Sequence, residues 1–236
     1  MKYFLYLFLF FLSACGNTSR QENKSVVHPP FWADIQNFKK QDSVSFPSKN
    51  AILFIGSSSF TKWRDVQDYF PGYTIINRGF GGSTLLDQIR YANDIIFPYE
   101  PKQIVIYCGE NDLASSDTVT AEMVVDRFKE LYKMIREKTE APVAYISMKP
   151  SPSRRYLFEK MRLANQLIME FTSTQDPNAL LRSNMDPPLA TYIDVHWKML
   201  NTAKEPMPEI FLDDSLHMNA KGYAIWQKII EPHLLK

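Results

Sequence analysis

The chain has 236 residues, of which 45% are hydrophobic and 14% aromatic; this is enough for one domain with a sizeable core and excludes general disorder. Its 27 Lys and Arg residues nearly balance its 26 Asp and Glu residues, which gives a net charge of +1. Because this balance provides no basic field that would hold a polyanion, we expect no nucleic acid partner.

The N-terminal segment predicts export. Residues 3–12 form an apolar run that has the length of a signal-peptide core and is too short to span a bilayer as a helix. The next motif, LSAC at 12–15, resembles the lipobox of bacterial lipoproteins, in which the cysteine receives the lipid. The resemblance implies a signal peptide at 1–14, lipidation of Cys15, and anchoring to a bacterial membrane on its periplasmic or cell-surface side. The alternative is an ordinary cleaved signal with an unrelated cysteine.

Residues 15–30 are mostly polar and end in two prolines, which predicts a solvated tether. The domain itself is then expected at 31–236. The other cysteine of the chain, Cys108, ends the apolar run QIVIYC. We therefore expect it to be a small buried residue, and we expect no structural disulfide.

Short apolar runs alternate with longer amphipathic segments along the domain. The runs predict five strands buried on both faces, at 51–56, 73–77, 103–108, 142–147 and 190–195. The amphipathic segments predict helices at 83–97 with Ser83 as N-cap, at 121–138, around 156–171, and after Asn219 as far as Pro232. This alternation predicts an α/β fold with a parallel sheet, helices on both of its faces, and functional loops at the carboxyl ends of the strands.

The loop after the first predicted strand reads Gly-Ser-Ser-Ser-Phe at 56–60. A serine at such a turn can be exposed near a helix N-terminus, whose dipole favours developing negative charge. The alternative is a Gly/Ser turn that only caps a helix.

The loop after the second predicted strand contains three glycines within residues 77–83, which allow backbone N–H groups to approach a substrate closely. The alternatives are a flexible connection or a phosphate-binding loop. The glycine spacing does not fit a dinucleotide fingerprint, so we expect no nucleotide cofactor.

Two further polar motifs complete the candidate site. Residues 109–112 read Gly-Glu-Asn-Asp after the third predicted strand, where an asparagine can offer its amide to an oxyanion or simply belong to a helix-starting turn. Residues 214–217 read Asp-Ser-Leu-His just before the last helix. A carboxylate and an imidazole three residues apart in a turn can interact, although the motif alone is common and usually structural.

Together and in this order, the four segments resemble the SGNH (GDSL-like) hydrolases, a family of esterases and lipases named for its Ser, Gly, Asn and His residues. The resemblance covers the chain from Ala51 to the last helix, and implies a three-layer, flavodoxin-like sandwich with a five-stranded, mainly parallel sheet. It also implies a set of roles. The nucleophile is Ser58, the base is His217 and its orienting carboxylate is Asp214. The oxyanion donors are the backbone N–H groups of Ser58 and Gly82 and the side chain of Asn111.

One position departs from the family pattern, because Ser57 stands where the family often has an aspartate before the nucleophile. Ser57 and Ser59 are therefore rival nucleophiles. The order of the motifs also separates the chain from the α/β-hydrolases, since Phe60 replaces the second glycine of their Gly-x-Ser-x-Gly elbow.

The chemistry implied is hydrolysis of a carboxylic ester through an acyl-enzyme, with no metal or organic cofactor. The expected substrate is a small-molecule or glycan ester, such as a short-chain ester or a carbohydrate O-acetyl group. The alternatives are a lysophospholipase, lipase or thioesterase and, in a different class, an inactive lipid-anchored glycan-binding module. We expect Arg78, Phe80, Glu110 and the segment 148–155 to border the pocket, and His28, His196 and His233 to be surface or structural residues.

Overall fold

A computed structural model of the protein describes residues 27–175 and 188–236. The predicted signal peptide, Cys15 and most of the predicted tether lie outside these residues. Within the described ranges, no helix has both the length and the apolar character needed to cross a membrane.

The core of the fold is one five-stranded sheet in which every pairing is parallel. Its strands are β1 (Ile52–Gly56), β2 (Ile75–Gly79), β3 (Gln103–Tyr107), β4 (Val143–Ile146) and β5 (Ala190–Ile193). In space they follow the order β2-β1-β3-β4-β5, so β1 and β3 are central. The five predicted strands and the α/β class are confirmed, with β2 beginning two residues later than the apolar run indicated.

Eight α-helices surround the sheet in the described part of the chain. They are α1 (Trp32–Val44), α2 (Ser58–Thr61), α3 (Val66–Tyr69), α4 (Leu85–Ile95), α5 (Glu110–Ser115), α6 (Ala121–Arg136), α7 (Phe158–Ser173) and α8 (Ala220–Ile230). Helix α1 was not predicted. Its only buried residue is Ile35, so its sequence lacks the apolar period that reveals an amphipathic helix.

Apolar residues pack on both faces of the sheet. Alternate residues of β1 face opposite sides, so that Leu53 and Ile55 join a core with α4, α6 and α7, whereas Ile52 and Phe54 join a core with α2 and α8. This burial on both faces is the reason that the strands read as continuous apolar runs instead of alternating ones.

The start of α4 corrects one prediction. The N-cap is Thr84, which forms a capping box with Asp87, and not Ser83. The Ser83 side chain is fully buried; its hydroxyl donates to the Phe80 carbonyl at 2.8 Å and accepts from the Gln88 amide at 2.9 Å. Ser83 therefore holds the loop after β2 in place instead of starting the helix.

The last helix begins as predicted. The Asn219 side chain accepts hydrogen bonds from the backbone N–H groups of Lys221 and Gly222. Helix α8 ends at Ile230 and passes into a 3-10 turn at Glu231–His233, which contains Pro232. This helix closes the sheet on the face that also carries α2, and it follows directly on the Asp-Ser-Leu-His segment.

Candidate active site

The nucleophile candidate lies at a sharp turn between β1 and α2. Gly56 has φ +145°, and a Cβ at this position would lie 2.0 Å from the Tyr107 carbonyl oxygen, so only glycine fits there. The Ser57 N–H donates to that same carbonyl at 3.1 Å. Ser58 then becomes the first residue of α2, at the carboxyl end of a central strand.

The structure brings three side chains into a continuous hydrogen-bonded row. His217 Nε2 lies 2.9 Å from Ser58 Oγ, although the two residues are 159 positions apart. His217 Nδ1 lies 2.6 Å from Asp214 Oδ2. A single imidazole thus contacts the serine hydroxyl through one ring nitrogen and the carboxylate through the other.

The loop of residues 212–218 fixes the carboxylate and the imidazole relative to each other. Asp214 Oδ1 accepts the backbone N–H groups of Leu216 at 3.0 Å and His217 at 2.8 Å. The Leu212 N–H donates to the His217 carbonyl at 2.8 Å, and Ser215 takes the left-handed conformation at φ 55° that the tight turn requires. These hydrogen bonds hold the Asp214 carboxylate in place beside the His217 ring.

These contacts also set the charge state of Asp214. Burial acts to raise the pKa of its carboxyl, but the hydrogen bonds from the backbone and ring of His217 and from the backbone of Leu216 outweigh burial. They hold the pKa of Asp214 well below its usual range, so the carboxylate stays ionised beside the imidazole.

The predicted oxyanion donors come together at the same strand ends. Gly82 has φ +85° and is exposed, and a Cβ at Gly81 would lie 3.9 Å from that of Ser58. Asn111 Nδ2 donates to the Ser83 carbonyl at 3.1 Å, which ties α5 to the glycine loop. In residues 27–175 and 188–236, the backbone N–H groups of Ser58 and Gly82 donate to no protein acceptor, as a site for an oxyanion requires.

Ser57 and Ser59 are placed differently from Ser58. Both are buried, with 4% and 1% of their surface exposed, whereas Ser58 is partly exposed. The Ser59 carbonyl accepts the Tyr223 hydroxyl at 2.8 Å, which holds the turn against α8. Of the three serines, Ser58 is the one that contacts His217.

The sequence model of the GDSL-like lipase/acylhydrolase family matches residues 54–225. The chain belongs to this family. The match confirms the resemblance drawn from the four motifs, and together with the fold it identifies the chain as a hydrolase that acts on esters. No curated protein sequence matches the chain.

Solved structures of similar proteins share the fold of this GDSL-like chain. An acylhydrolase of Bacteroides fragilis is 18% identical with a TM-score of 0.70, and the match covers 85% of this chain and 95% of that one. A GDSL-like lipase of Bacteroides thetaiotaomicron is 16% identical with a TM-score of 0.66, over 85% and 96% of the two chains. An acetylxylan esterase of Geobacillus stearothermophilus is 13% identical with a TM-score of 0.60, over 79% and 94%.

Asp112, which the motif analysis left without a role, joins elements that carry the predicted oxyanion donors of this GDSL-like chain. Its fully buried carboxylate accepts the Leu85 N–H at 2.9 Å and Arg127 Nη1 at 2.8 Å. Burial raises the pKa of Asp112, while those two hydrogen bonds act to lower it. The carboxylate joins the start of α4 to α5, and the signal for it was its place as the last residue of the Gly-Glu-Asn-Asp motif.

Three residues that we expected to border the pocket are buried: Phe80 is 1% exposed, and Arg78 and Glu110 form buried pairs. Arg78 is 7% exposed, lies 2.5 Å from the Asp42 carboxylate of α1, and donates to the Tyr99 hydroxyl at 2.7 Å. Glu110 is 4% exposed and accepts from Lys149 Nζ at 2.8 Å and from the Tyr107 hydroxyl at 2.7 Å. Both are structural neighbours of the site and not open pocket walls.

The remaining cysteine and histidines are structural or exposed. Cys108 is 1% exposed, as predicted, and burial raises the pKa of its thiol. His196 is buried against the Met148 carbonyl at 3.1 Å, and burial lowers its pKa. His28 and His233 are exposed. Among the described residues, no group of three or more His, Cys, Asp or Glu side chains could hold a metal ion.

Proposed function

We propose that the chain cleaves carboxylic esters with Ser58 as nucleophile, His217 as general base and acid, and Asp214 as the group that orients the imidazole. The observation that carries this proposal is the row of contacts at 2.9 Å from Ser58 to His217 and 2.6 Å from His217 to Asp214. In the neutral imidazole, Asp214 Oδ2 accepts the hydrogen bond from the His217 Nδ1–H, which leaves Nε2 unprotonated and facing the Ser58 hydroxyl. This is the tautomer that a general base needs.

The reaction follows from these positions. His217 Nε2 takes the Ser58 proton as Oγ attacks the ester carbonyl, and the oxyanion lies among the Ser58 N–H, the Gly82 N–H and the Asn111 amide. The imidazolium then protonates the leaving alcohol, and the acyl group stays on Ser58. Water, deprotonated by His217, attacks the acyl-enzyme and regenerates the free serine.

A short acyl group, such as an O-acetyl group on a carbohydrate, is the substrate we propose. The structural similarity to the acetylxylan esterase of Geobacillus stearothermophilus supports this choice.

The same esterase also supports the proposed catalytic roles. It was solved as three catalytic mutants, which change a serine, an aspartate and a histidine. Its aspartate precedes its histidine by three positions, as Asp214 precedes His217 here. This shared spacing supports the same division of roles.

Covalent labelling tests the nucleophile. A fluorophosphonate probe should label the purified domain, and Ser58→Ala should abolish labelling. Ser57→Ala and Ser59→Ala are matched controls from the same turn and should still be labelled. Labelling that survives Ser58→Ala would move the nucleophile elsewhere, and an absence of labelling in the wild type would favour the inactive glycan-binding module.

Ester preference tests the substrate. Rates on nitrophenyl esters from acetyl to palmitoyl should be highest at the short end, and acetylated oligosaccharides should release acetate. A maximum at long chains would favour a lipase or lysophospholipase instead, and turnover of acyl thioesters above that of oxygen esters would favour a thioesterase.

We also propose that the chain is exported and anchored in a bacterial membrane through lipid on Cys15. The support is the apolar run at 3–12 followed by the LSAC motif. In a bacterial host that processes lipoproteins, the full-length chain should fractionate with membranes, and Cys15→Ala should release it. Unchanged membrane retention of Cys15→Ala would contradict lipidation at this residue.

A further inference from the structure

We infer that the ring of Phe31 forms the wall against which the acyl group of the substrate packs, and that this residue limits the length of acyl chain the site accepts. The inference rests on the proposed function, because it takes Gly82 as an oxyanion donor. Phe31 lies more than twenty residues before the first of the four segments that carry the family resemblance, at the junction of the predicted tether and domain.

The ring lies directly beside the glycine loop. A Cβ on Gly82 would have two atoms of the Phe31 ring as its nearest neighbours, at 3.8 and 3.9 Å. The ring therefore occupies the side of Gly82 where a side chain would point. Gly82 itself is exposed and Phe31 is partly exposed, so ring and glycine line open surface next to Ser58 and are not part of the sealed core.

The ring is held in this position by three linked contacts, of which the first is its own and the other two fix its neighbours. It packs edge-on against Phe80, with 5.3 Å between ring centroids, and Phe80 packs edge-on against Tyr91 at 6.2 Å. The Tyr91 hydroxyl donates to the Pro30 carbonyl at 2.6 Å, which fixes the backbone just before Phe31. The chain is thus fastened to α4 where it enters the domain.

The backbone of Phe31 is held in an unfavourable conformation. Its φ is 62° and its ψ is 7°, in the left-handed region that residues with a side chain rarely adopt. Such a conformation persists only where the surrounding contacts determine it, and such positions cluster at functional sites. Phe31 immediately precedes α1, and its ring lies beside the glycine loop.

The geometry of acyl transfer assigns the ring to the acyl side. Of the four groups on the tetrahedral carbon, one is Ser58 Oγ, one is the oxyanion facing Gly82 and Asn111, and one is the leaving oxygen, which must face His217 to receive its proton. The acyl chain takes the remaining direction. Phe31 packs on the core of the α4 face, whereas Phe211 and Met218, which flank the loop of His217, belong to the core of the α8 face. The ring therefore lies away from the leaving oxygen, and we assign it to the acyl chain and not to the alcohol.

Acyl-length selectivity tests this assignment. Values of kcat/KM would be measured on nitrophenyl acetate, butyrate and octanoate, which share one leaving group, for the wild type, Phe31→Ala and Phe31→Gly. We expect the glycine variant to stay folded, because glycine adopts positive φ without strain. Phe46→Ala is the matched control, since Phe46 is 50% exposed and stacks on Tyr99 near the other end of α1.

Removing the ring should raise the octanoate-to-acetate ratio at least tenfold in both Phe31 variants, because even one methylene in an apolar pocket changes selectivity by that much. Phe46→Ala should leave the ratio unchanged. An unchanged ratio in folded Phe31 variants would overturn the inference, as would an equal change in Phe46→Ala or a wild type that prefers octanoate.

A second series separates the acyl side from the alcohol side. Acetate esters of nitrophenol and of methylumbelliferone differ only in their leaving group, so their relative rates should be the same in Phe31→Gly and the wild type. A changed ratio would place the ring on the alcohol side and overturn the inference. If the wild type hydrolyses none of these esters, the proposed function itself fails and the inference fails with it.

Discussion

Two charged clusters lie side by side at the carboxyl edge of the sheet, and they are built in opposite ways. The Asp214–His217 pair lies in the 212–218 loop, and 46% of the Asp214 side chain is exposed. The Glu110–Lys149 pair lies beneath the surface, with 6% and 1% of the two side chains exposed. A carboxylate that is half in water costs little to the fold, whereas a buried charge needs its partner.

The two clusters are connected. Ser151 Oγ lies 3.4 Å from Glu110 Oε1, and two residues further on the Ser153 N–H donates to the Ser215 carbonyl at 3.1 Å. The segment 149–153 therefore joins the buried pair to the loop that carries His217. We therefore expect the charges of the proposed catalytic pair to contribute little to stability, and the buried Glu110–Lys149 pair to affect the fold and not the proposed reaction.

The largest expected effect separates activity from stability at the exposed cluster. His217→Ala should lower kcat by about 10⁴-fold or more, because it removes both the base and the acid of the reaction. The melting temperature should stay close to that of the wild type, since the loop keeps its backbone hydrogen bonds. A variant that retains above about one hundredth of the wild-type kcat would contradict the proposed role.

The next effect falls on stability at the buried cluster. Lys149→Met should lower the free energy of unfolding by up to about 3–5 kcal/mol, because it removes the nearer cation of the buried Glu110 carboxylate and leaves only Arg154 Nε, at 3.9 Å. Denaturant unfolding would measure this. The exposed pair Lys49–Glu100 provides the control, and Lys49→Met should cost at most about 1 kcal/mol. Equal losses of unfolding free energy in Lys149→Met and Lys49→Met would show that the buried pair is no more important to stability than the exposed one. Adding Glu110→Gln to Lys149→Met should restore part of the lost stability.

A smaller effect lies between the clusters, at Asn111, which follows Glu110 in α5. Asn111→Ala should lower kcat by about 10²–10³-fold with little change in KM, because the amide acts on the oxyanion and not on the ground state. Asn111→Asp has the same shape without the N–H donor and should lose as much. Activity of Asn111→Asp near that of the wild type would argue against the oxyanion role.

The smallest effect is the pH dependence of stability at Asp214. Its lowered folded pKa means that its stabilising contribution is complete above the unfolded pKa, at about 3.9, and declines as the pH falls below that value. The difference in melting temperature between the wild type and Asp214→Asn should therefore be smaller at pH 3 than at pH 5. Exposure keeps the whole difference small, and a difference that grows on acidification would contradict the lowered pKa.

The sequence by itself determined the α/β class, the five strands and the segments from which the site is built. Strands buried on both faces appear as continuous apolar runs, and each polar segment follows a strand end, where a parallel sheet collects its functional loops. The site residues could be proposed because each lies within a short motif. The spacing of Asp214 and His217 suffices for their contact, since both lie in one turn.

Only the tertiary structure decided the contacts between residues far apart in the chain. In the sequence, Arg78 is a polar residue at a strand end. In the fold it forms a buried pair with Asp42, which lies 36 positions earlier. Glu110 and Lys149 pair across 39 positions, and Phe31 meets Gly82 through the packing of α1 against α4. Such pairs leave no periodicity or local motif, because their partners are set by how helices and strands pack and not by spacing along the chain.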